Sequence, residues 1–525
     1  MKRYHLIRVA IITLLLFTSC NSPTPTPLPE QITLTSEPTP LNAEELGQFE
    51  SYTLEAMQLA KVPGMSIAIV QQGDVIYIKG FGVRELGKDY PVTPDTLMMI
   101  GSVSKSLTSV MMASVVDDGL MQWDTPVTSI LPTFAVGDPK LTQELAMWHL
   151  VCACSGMPGK DAALFLFGMD RAEEMISTLQ YTEPISILEK QFNYSNTMYA
   201  VGGYIAGLAA GGASEDMDAG YVAAMQERVF DPVGMTSTTA SLDLVQDFGN
   251  YAVPHGLDLA NQYQPMPLSA ERFVLSVKPS GAIWSNANDM SRLMTALLNE
   301  GTVPEGEQIV SAENLHKIWE PGVTVERGDN PSYYGLGWFI EDFHAERIIH
   351  HSGGSMGFSA EFAIVPESGI GILILTNAES AGDFVYNLRN RFLELAFDLP
   401  SEYDAEFRRN LESNEKAILD FADKLQPGFD EQAIASYLGT FSNPEIGEIT
   451  IRNENGKLIL SSGGLTSELR QILGYGDSIF TISEIPLVTL GQLIFQFKLD
   501  TNGEPIILLH EKMVSKPYVF EKANP

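Results

Sequence analysis

The segment from Ser102 to Asp118 places the strongest constraint on the fold, because it has the length of a helix and is mostly apolar on several faces. Gly119 follows it directly, and a glycine in this place is typical of a helix C-terminus. A helix that is apolar nearly all round is normally buried in the middle of a large domain. The sequence therefore predicts a large domain built around this helix.

Strand-like runs occur on both sides of this helix along the chain. Met65–Val70 and Val75–Phe81 precede it and are separated by a hairpin signal, Gln71-Gln72-Gly73-Asp74. The residues from about 120 to 330 have the pattern of helices and long loops, and strands then return at Trp338–Ile340, Ile348–His351, Phe358–Val365 and Ile370–Leu375. This order predicts an α/β fold, in which one antiparallel sheet built from both ends is flanked by helices and carries an inserted helical lobe.

The character of the sequence changes again towards its end. Residues 404–424 have the pattern of a charged amphipathic helix that ends at Pro427-Gly428. Beyond about residue 430, short alternating runs are separated by turn signals at Asn455-Gly456, Gly463-Gly464 and Asn502-Gly503. This spacing predicts a second, C-terminal domain that is a small all-β barrel or sandwich.

Residues 1–20 have the features of a signal peptide. Three basic residues precede an apolar run that is too short to span a bilayer comfortably, and small residues then lead to Cys20. Residues 21–44 are rich in proline and threonine, which predicts an extended tether. We therefore expect an exported protein whose folded part begins near residue 45.

The charge of the 525-residue chain excludes several functions. It has 66 acidic and 32 basic residues, a formal net charge of -34. This balance argues against a nucleic-acid partner and against binding to anionic lipid through the protein surface alone. The eight histidines form no H-E-x-x-H motif, so we expect neither a metal site nor a cofactor.

Ser102-Val103-Ser104-Lys105 opens the buried helix with an S-x-x-K pattern. Helical positions i and i+3 share a face, so the hydroxyl and the amine are predicted to be neighbours. A lysine kept neutral by burial can take the proton of the serine, which makes the serine a nucleophile. The same spacing recurs at Ser413 and Lys416, but there it lies on the charged helix, where we expect solvated surface. Context, and not spacing, therefore singles out the first pair.

Two further motifs each occur once in the chain. Tyr194-Ser195-Asn196 precedes an apolar helix, and His351-Ser352-Gly353 ends a strand and is followed by Gly354. Taken singly, each has an ordinary structural interpretation, as a turn tyrosine with a helix-capping asparagine and as a strand histidine. Glycines at the second motif would let a substrate approach the backbone, whose N–H groups can bind an oxyanion.

The three motifs in this order resemble the serine penicillin-recognising hydrolases, which share S-x-x-K, Tyr/Ser-x-Asn and Lys/His-x-Gly elements. The resemblance is strongest to the branch that includes class C β-lactamase-like proteins, D,D-carboxypeptidases, D-aminopeptidases and family VIII-type esterases. It extends over residues 45–400 and implies a β-lactamase/transpeptidase-like domain there. Residues 401–430 would then form a helical linker, and residues 431–525 resemble the lipocalin-like barrel of some of these hydrolases.

The resemblance also implies a role for each motif residue. Ser102 would be the acylated nucleophile, Lys105 its activator, and Tyr194 the group that passes a proton to the leaving group. Whether Lys105 or Tyr194 is the principal base stays open. The backbone N–H groups of Ser102 and Gly354 would form the oxyanion hole. The expected substrate-binding residues are Asn196, His351, Ser352 and Gly353.

The chain departs from the family pattern at two places. Ala153 stands where many relatives carry a histidine, and His351 stands where many carry a lysine, which removes a fixed cation for a substrate carboxylate. The second change favours ester or amide substrates over β-lactams and D-Ala-D-Ala peptides. Cys152 and Cys154, on either side of Ala153, are interpreted as two buried thiols, although a bridge in a loop is conceivable.

The expected function is that of an exported serine hydrolase acting on a small peptide, amide or ester through an acyl-enzyme on Ser102. Cys20 resembles the lipid-carrying first residue of a bacterial lipoprotein, which implies a cell-envelope protein bound to a membrane through its lipid only. A non-catalytic binding or scaffold protein with the same fold, and a true β-lactamase, are the alternatives. The sequence does not determine the oligomeric state or the role of the C-terminal domain.

Overall fold

The computed structural model describes residues 41–523, apart from residues 160, 162, 163, 165, 167, 169, 326–330, 345, 427, 476, 477 and 511–515. The predicted signal peptide, Cys20 and nearly all of the predicted tether lie outside the described residues. Within the described ranges, no helix has both the length and the apolar character that crossing a membrane requires.

The helices of the described chain are concentrated before residue 320 and around residue 400. In chain order they are α1 Ala43–Leu59, α2 Val103–Asp117, α3 Val127–Ile130, α4 Pro139–Glu144, α5 Met147–Val151, α6 Ala172–Thr178, α7 Asn196–Ala209, α8 Met217–Met225, α9 Asp231–Val233, α10 Leu242–Phe248, α11 Lys278–Gly281, α12 Ala287–Leu298, α13 Ala312–Ile318, α14 Gly382–Ala396, α15 Asp404–Ala422, α16 Glu431–Ile434 and α17 Leu487–Leu490. A π-helical turn covers Gln226–Phe230, and 3-10 turns cover Leu179–Tyr181, Leu268–Val277, Pro366–Ser368 and Ala435–Tyr437.

The strands of the larger domain come from both of its ends. They are β1 Gly64–Gln71, β2 Asp74–Gly82, β3 Met98–Met99, β4 His255–Leu257, β5 Tyr263–Pro265, β6 Trp284–Ser285, β7 Val323–Val325, β8 Ser332–Tyr334, β9 Phe339–Phe343, β10 Glu346–Gly354, β11 Ser359–Val365 and β12 Ile370–Thr376. Eight of them form one antiparallel sheet in the order β2-β1-β12-β11-β10-β9-β8-β7. The predicted α/β fold is therefore confirmed, because β1 pairs with β12 across the whole domain.

The sheet is covered by helices on both faces, and the alternation of side chains along its central strands explains why. Ile67 and Ile69 of β1 point to one apolar cluster, which they share with α1 and α14. Ala68 and Val70 point to the other, which contains α2 and α12. Successive residues of a strand face opposite sides, so a strand buried on both sides is apolar throughout.

Helix α2 lies inside the larger domain, as the sequence predicts. Every residue from Val103 to Val116 is buried. Gly119 ends the helix with φ +70°, and its N–H donates to Val116 O at 2.9 Å. The buried start of α2 therefore holds the S-x-x-K motif at a fixed place beside the sheet.

The C-terminal domain is a closed antiparallel barrel of eight strands, which confirms the barrel that the turn signals predict. The eight strands of the ring are β14 Gly439–Asn443, β15 Gly447–Glu454, β16 Lys457–Ser461, β17 Thr466–Ile472, β18 Ile479–Ile482, β19 Ile494–Leu499, β20 Pro505–His510 and β21 Tyr518–Lys522, and a ninth strand, β13 Leu425–Gln426, precedes them. β17 pairs with β18 and closes the ring, and β13 adds to β17 from outside. Along β15, Ile449 and Ile451 point inward while Arg452 is exposed.

The barrel packs against the larger domain beside the β10–β11 connection. Leu166, Met266 and Met356 of the larger domain belong to the same apolar cluster as the barrel interior. A polar contact lies nearby, since Thr489 of α17 donates from both its backbone N–H and its hydroxyl to Glu379 Oε1, at 2.7 and 2.8 Å. The two domains therefore share a mixed apolar and polar interface.

Candidate active site

The serine and the lysine of the S-x-x-K motif are in direct contact at the start of α2. Ser102 is the half-buried N-cap residue of this helix, and Lys105, one turn later, is 1% exposed. The Lys105 Nζ lies 3.0 Å from the Ser102 Oγ. The predicted nucleophile and its predicted activator are therefore brought together.

Two further hydrogen bonds fix the amine of Lys105. Its Nζ donates to Asn196 Oδ1 and to the carbonyl oxygen of Ser280, both at 2.7 Å. Carbonyl oxygens only accept, so these two contacts use two N–H bonds, and the third direction points to Ser102. Burial lowers the pKa of Lys105 well below its usual range, although the charge of Asp161 opposes this effect. A neutral Lys105 therefore directs its lone pair at the serine hydroxyl, as a general base must.

Asp161 is a member of this site that the motifs did not reveal. Its Oδ1 accepts a hydrogen bond of 2.8 Å from Asn196 Nδ2, so the Asn196 amide bridges Asp161 and Lys105. Burial raises the pKa of Asp161, while the hydrogen bond from Asn196 and the charge of Lys105 act in the opposite direction. The segment that carries Asp161 has no spacing or composition that indicates this contact.

Tyr194 also lies close to the amine of Lys105. The centre of its ring is 4.7 Å from Lys105 Nζ, and its ring is 6.1 Å from that of Tyr334 and 6.2 Å from that of His351. Ser195 caps α7 by accepting from Met198 N–H at 3.3 Å, which places Asn196 in the first turn. The start of α7 thus brings both predicted residues of the Y-x-N motif to Lys105.

The H-x-G motif ends β10 next to these aromatic rings. His351 is 1% exposed, with Nδ1 at 2.6 Å from Ser352 O and Nε2 at 3.1 Å from the Tyr334 hydroxyl. Because a carbonyl oxygen only accepts, Nδ1 carries a proton. Ser352 is exposed, so in this strand the serine, and not the histidine, faces outward. The predicted contact of His351 with substrate stays a prediction.

His350 points to the opposite face of β10, as strand alternation predicts. Its Nδ1 lies 3.0 Å from Glu361 Oε1, in a buried ion-pair network with Glu341 and Arg389. Burial by itself lowers the pKa of His350, but the two carboxylates outweigh it and the pKa is raised. This network stabilises the packing of α14 on the sheet, on the face away from α2 and Ser102.

The backbones of the first and third motifs touch each other. A Cβ on Gly353 would lie 2.0 Å from Ile100 O and 3.1 Å from Ser102 N, and a Cβ on Gly101 would lie 2.6 Å from Gly354 N. Gly101 also has φ +52°, a conformation that favours glycine. Only glycines permit this approach, which places the backbone of Gly354 beside that of Gly101, the residue before Ser102. The predicted oxyanion hole stays a prediction, and Gly101 is a residue of this contact that sequence reasoning missed.

The loop around Ala153 corrects the interpretation of the cysteines as two free thiols. Cys152 and Cys154 are joined by a disulfide, because the chain turns at Ala153, with φ +52°, and brings their Cα atoms to 5.1 Å. Ala153 packs, as does Tyr194, against the apolar cluster that contains Tyr334. Beside it is a cavity of about 10 Å³ that Lys105 also lines. A cavity of this size has room for about one water molecule.

The second S-x-x-K lies where the sequence predicts it. Ser413 and Lys416 are both exposed on α15, and the neighbouring Glu415 pairs with Lys61 at 3.0 Å. Among the described residues there is no cluster of three or more histidines, cysteines or acidic residues that could hold a metal ion.

Comparison with known proteins agrees with the geometry of the site. Residues 49–396 match the protein family described as Beta-lactamase. The chain is 26% identical over 417 residues to an unguisins hydrolase of Aspergillus campestris, covering 74% of each chain. It is 27% identical over 346 residues to penicillin-binding protein 4 of Amycolatopsis lactamdurans, covering 64% of this chain and 86% of the relative.

A solved structure shares the fold over most of the chain. It is the octameric penicillin-binding protein homologue from Pyrococcus abyssi, with a TM-score of 0.59 and 21% identity. The similarity covers 91% of this chain and 100% of that one. At this level of identity, the comparison supports the fold alone.

Proposed function

Because this chain belongs to the Beta-lactamase family, within the serine penicillin-recognising hydrolases, we propose that it hydrolyses an amide or ester bond through an acyl-enzyme on Ser102. The observation that carries the proposal is the contact of Lys105 Nζ with Ser102 Oγ, at 3.0 Å. Burial lowers the pKa of Lys105 well below its usual range, and two carbonyl acceptors aim the amine at the hydroxyl.

Acylation begins when Ser102 Oγ attacks the carbonyl carbon of the substrate and gives up its proton to Lys105 Nζ. The carbonyl oxygen takes the electron pair of its double bond and becomes an oxyanion, which the N–H groups of Ser102 and Gly354 stabilise. The intermediate then expels the leaving group, which accepts a proton that Lys105 supplies by way of Tyr194. Water repeats the sequence on the acyl-enzyme and releases the acid.

The substrates that we propose are D-amino-acid peptides or amides and small esters. His351 has no ammonium group to offer a substrate carboxylate, and its ring is buried against Tyr334. The exposed Ser352 and Gly354 are the parts of the strand that a substrate can reach. A substrate that needs no fixed cation suits this arrangement better than a β-lactam does.

The decisive experiment is intact-mass analysis of protein treated with a fluorophosphonate probe. We expect one covalent adduct in the wild type, none in Ser102→Ala, and a normal adduct in Ser413→Ala, the matched control with the same spacing on an exposed helix. Labelling and turnover by Ser102→Ala at the parental rate would disprove the mechanism. A folded wild type that neither labels nor hydrolyses any substrate would favour the non-catalytic binding protein.

A substrate panel then defines the activity. p-Nitrophenyl esters, D-amino-acid amides, D-Ala-D-Ala peptides and a chromogenic cephalosporin should be compared by kcat/KM. We expect esters or amides to be the best substrates and the cephalosporin to be poor. A cephalosporin that is the best of the four would instead support the second alternative, a true β-lactamase.

The location that we propose is the bacterial cell envelope, with the protein held to a membrane by a lipid on Cys20. The support is the basic and apolar pattern before this cysteine and the proline-rich segment after it. Cys20→Ala should therefore release the protein from the membrane fraction. Membrane association that survives this substitution would contradict lipid attachment at Cys20.

A further inference from the structure

Glu271 is a buried carboxylate that no motif indicates, and it lies against the turn that follows the predicted oxyanion residue. The turn joins β10 to β11 and consists of residues 355–358, immediately after Gly354. Glu271 belongs to the 3-10 segment Leu268–Val277, which is distant in sequence, and it is 1% exposed. Its position therefore depends on the tertiary fold.

Three groups of the turn donate hydrogen bonds to this one carboxylate. The Ser355 hydroxyl donates to Oε1 at 3.1 Å, Gly357 N–H to Oε1 at 2.9 Å, and Met356 N–H to Oε2 at 3.3 Å. Two of these donors are backbone groups, so the carboxylate holds the path of the chain and not only a side chain. Burial and, as a smaller effect, the nearby charge of Glu379 raise the pKa of Glu271 to about 8, against the effect of the three hydrogen bonds.

The turn is confined from its other side as well. His255 N–H donates to Gly357 O at 3.3 Å, and a Cβ on Gly357 would lie 2.2 Å from Pro254 Cβ. Met356 places its side chain in the apolar cluster of the barrel. Glu271 is thus the ionisable group in a set of contacts that fixes residues 355–357.

An oxyanion hole needs this kind of precision. Its donors must lie 2.7–3.1 Å from the charged oxygen, so a small displacement of one N–H weakens the stabilisation of the transition state. Gly354 directly precedes Ser355 in the chain, and the backbone of Gly354 is in close contact with Gly101. Any movement of the turn is therefore passed directly to Gly354.

We propose that Glu271 is a positioning residue for the oxyanion hole, which it acts on by holding the turn after Gly354. This inference rests on the proposed acyl-enzyme mechanism. Stabilisation of the transition state would then depend on Glu271, a group outside the three motifs. Because Met356 belongs to the same turn, the barrel domain would also be connected to the chemistry.

A pair of substrates that differ in one atom tests this role. A p-nitrophenyl ester and its thionoester differ only in C=O against C=S, and sulfur is a larger and poorer hydrogen-bond acceptor that gains little from the oxyanion hole. In the wild type the ester should be strongly preferred. Removing one oxyanion donor costs about 10²–10³-fold in rate, so we expect Glu271→Ala, which removes the three acceptor contacts of the turn but only displaces a donor, to lower kcat/KM for the ester by roughly 10- to 100-fold.

The ratio of the two kcat/KM values separates positioning from a general loss of structure. We expect Glu271→Ala to reduce the ester-to-thionoester ratio, and Ser355→Ala, which removes one of the three hydrogen bonds, to reduce it less. Glu379→Ala is the matched control, because Glu379 is also a buried acidic side chain that accepts backbone hydrogen bonds, but from Leu257 and Thr489. Its ratio should equal that of the wild type.

Three results would overturn the inference. The first is an unchanged ratio in folded Glu271→Ala, or in Ser355→Ala if the Glu271 variant does not fold. The second is an equal fall of the ratio in Glu379→Ala, which would assign the effect to general loosening. The third is ester hydrolysis that persists in Ser102→Ala. This result would disprove the proposed mechanism itself, and it is measured in a protein in which Glu271 is unchanged.

Discussion

Asn196 Oδ1 accepts a hydrogen bond of 2.7 Å from Lys105 Nζ, and the same amide donates to Asp161 at 2.8 Å. This bridge orients the amine of Lys105 and connects it to a carboxylate. Two opposite influences therefore act on the protonation of Lys105, since burial favours the neutral amine and Asp161 favours the charged one. The effect of each group on activity can be measured separately.

The first prediction concerns Lys105 itself. Lys105→Met keeps the length of the side chain and removes the base, so we expect acylation of Ser102 to slow by about 10²–10⁴-fold, the usual contribution of a general base. The measurement is the rate of fluorophosphonate inactivation, with thermal unfolding to confirm the fold. Lys416→Met is the matched control on the exposed helix and should react like the wild type. A normal inactivation rate in Lys105→Met would assign the base to another group.

The second prediction concerns Asp161. Its charge raises the pKa of Lys105, so Asp161→Asn should lower that pKa further. The neutral amine would then persist to lower pH, and the acidic limb of the profile of kcat/KM against pH should move to lower pH.

Asp170→Asn is the control for this shift. Asp170 lies in the same stretch of chain as Asp161, but it is exposed and pairs with Arg272 at 3.1 Å. Its pH profile should match that of the wild type. Movement of the Asp161→Asn limb to higher pH would show that the carboxylate does not favour the charged amine.

Local patterns predicted the parts of the fold that local physics determines. The buried helix, the hairpin at Gln71–Asp74 and the barrel turns at Asn455-Gly456 depend on short stretches of sequence, and the structure contains all three. A single sheet built from both ends was predicted from the same patterns, because strands at both ends of a helical middle have few other ways to bury their apolar faces, and the pairing of β1 with β12 joins those ends.

The features that sequence reasoning missed depend on contacts between distant residues. Nothing near Asp161 or Glu271 indicates that each carboxylate meets an active-site element 35 or more residues away. Gly101 was overlooked because its backbone contact with Gly354 exists only in the folded domain. The disulfide depends on the turn at Ala153, which its alanine side chain does not suggest.

The third prediction tests the backbone contact at the oxyanion hole. A Cβ on Gly353 would lie 2.0 Å from Ile100 O, so Gly353→Ala must push β10 away from the start of α2. We expect a lower melting temperature and a loss of at least about 100-fold in kcat/KM, as for a lost oxyanion donor. Gly354→Ala meets no atom within 4 Å and should melt like the wild type. Equal melting temperatures for both variants would contradict the close approach.

The fourth prediction concerns stability and pH at the interface of the two domains. Glu379 is fully buried, and burial raises its pKa to about 7 from a usual 4.5, against the hydrogen bonds from Leu257 and Thr489. At a pH between these two pKa values, Glu379 keeps a proton in the folded protein that it has released in the unfolded chain. Glu379 therefore makes the protein less stable as the pH rises from about 4.5 to 7, and each unit of pKa shift corresponds to about 1.4 kcal/mol.

Glu379→Gln should remove this decrease of stability with rising pH, because glutamine resembles the protonated acid and keeps an oxygen for Thr489. Relative to the wild type, the melting temperature of the variant should therefore rise between pH 5 and pH 8. Glu415→Gln is the control, since Lys61 lowers the pKa of the exposed Glu415 and its titration is complete below this range. Its difference from the wild type should stay constant from pH 5 to pH 8. If the Glu379→Gln difference is also constant, the carboxylate is already ionised at pH 5, and the interface binds a charge that its hydrogen bonds fully compensate.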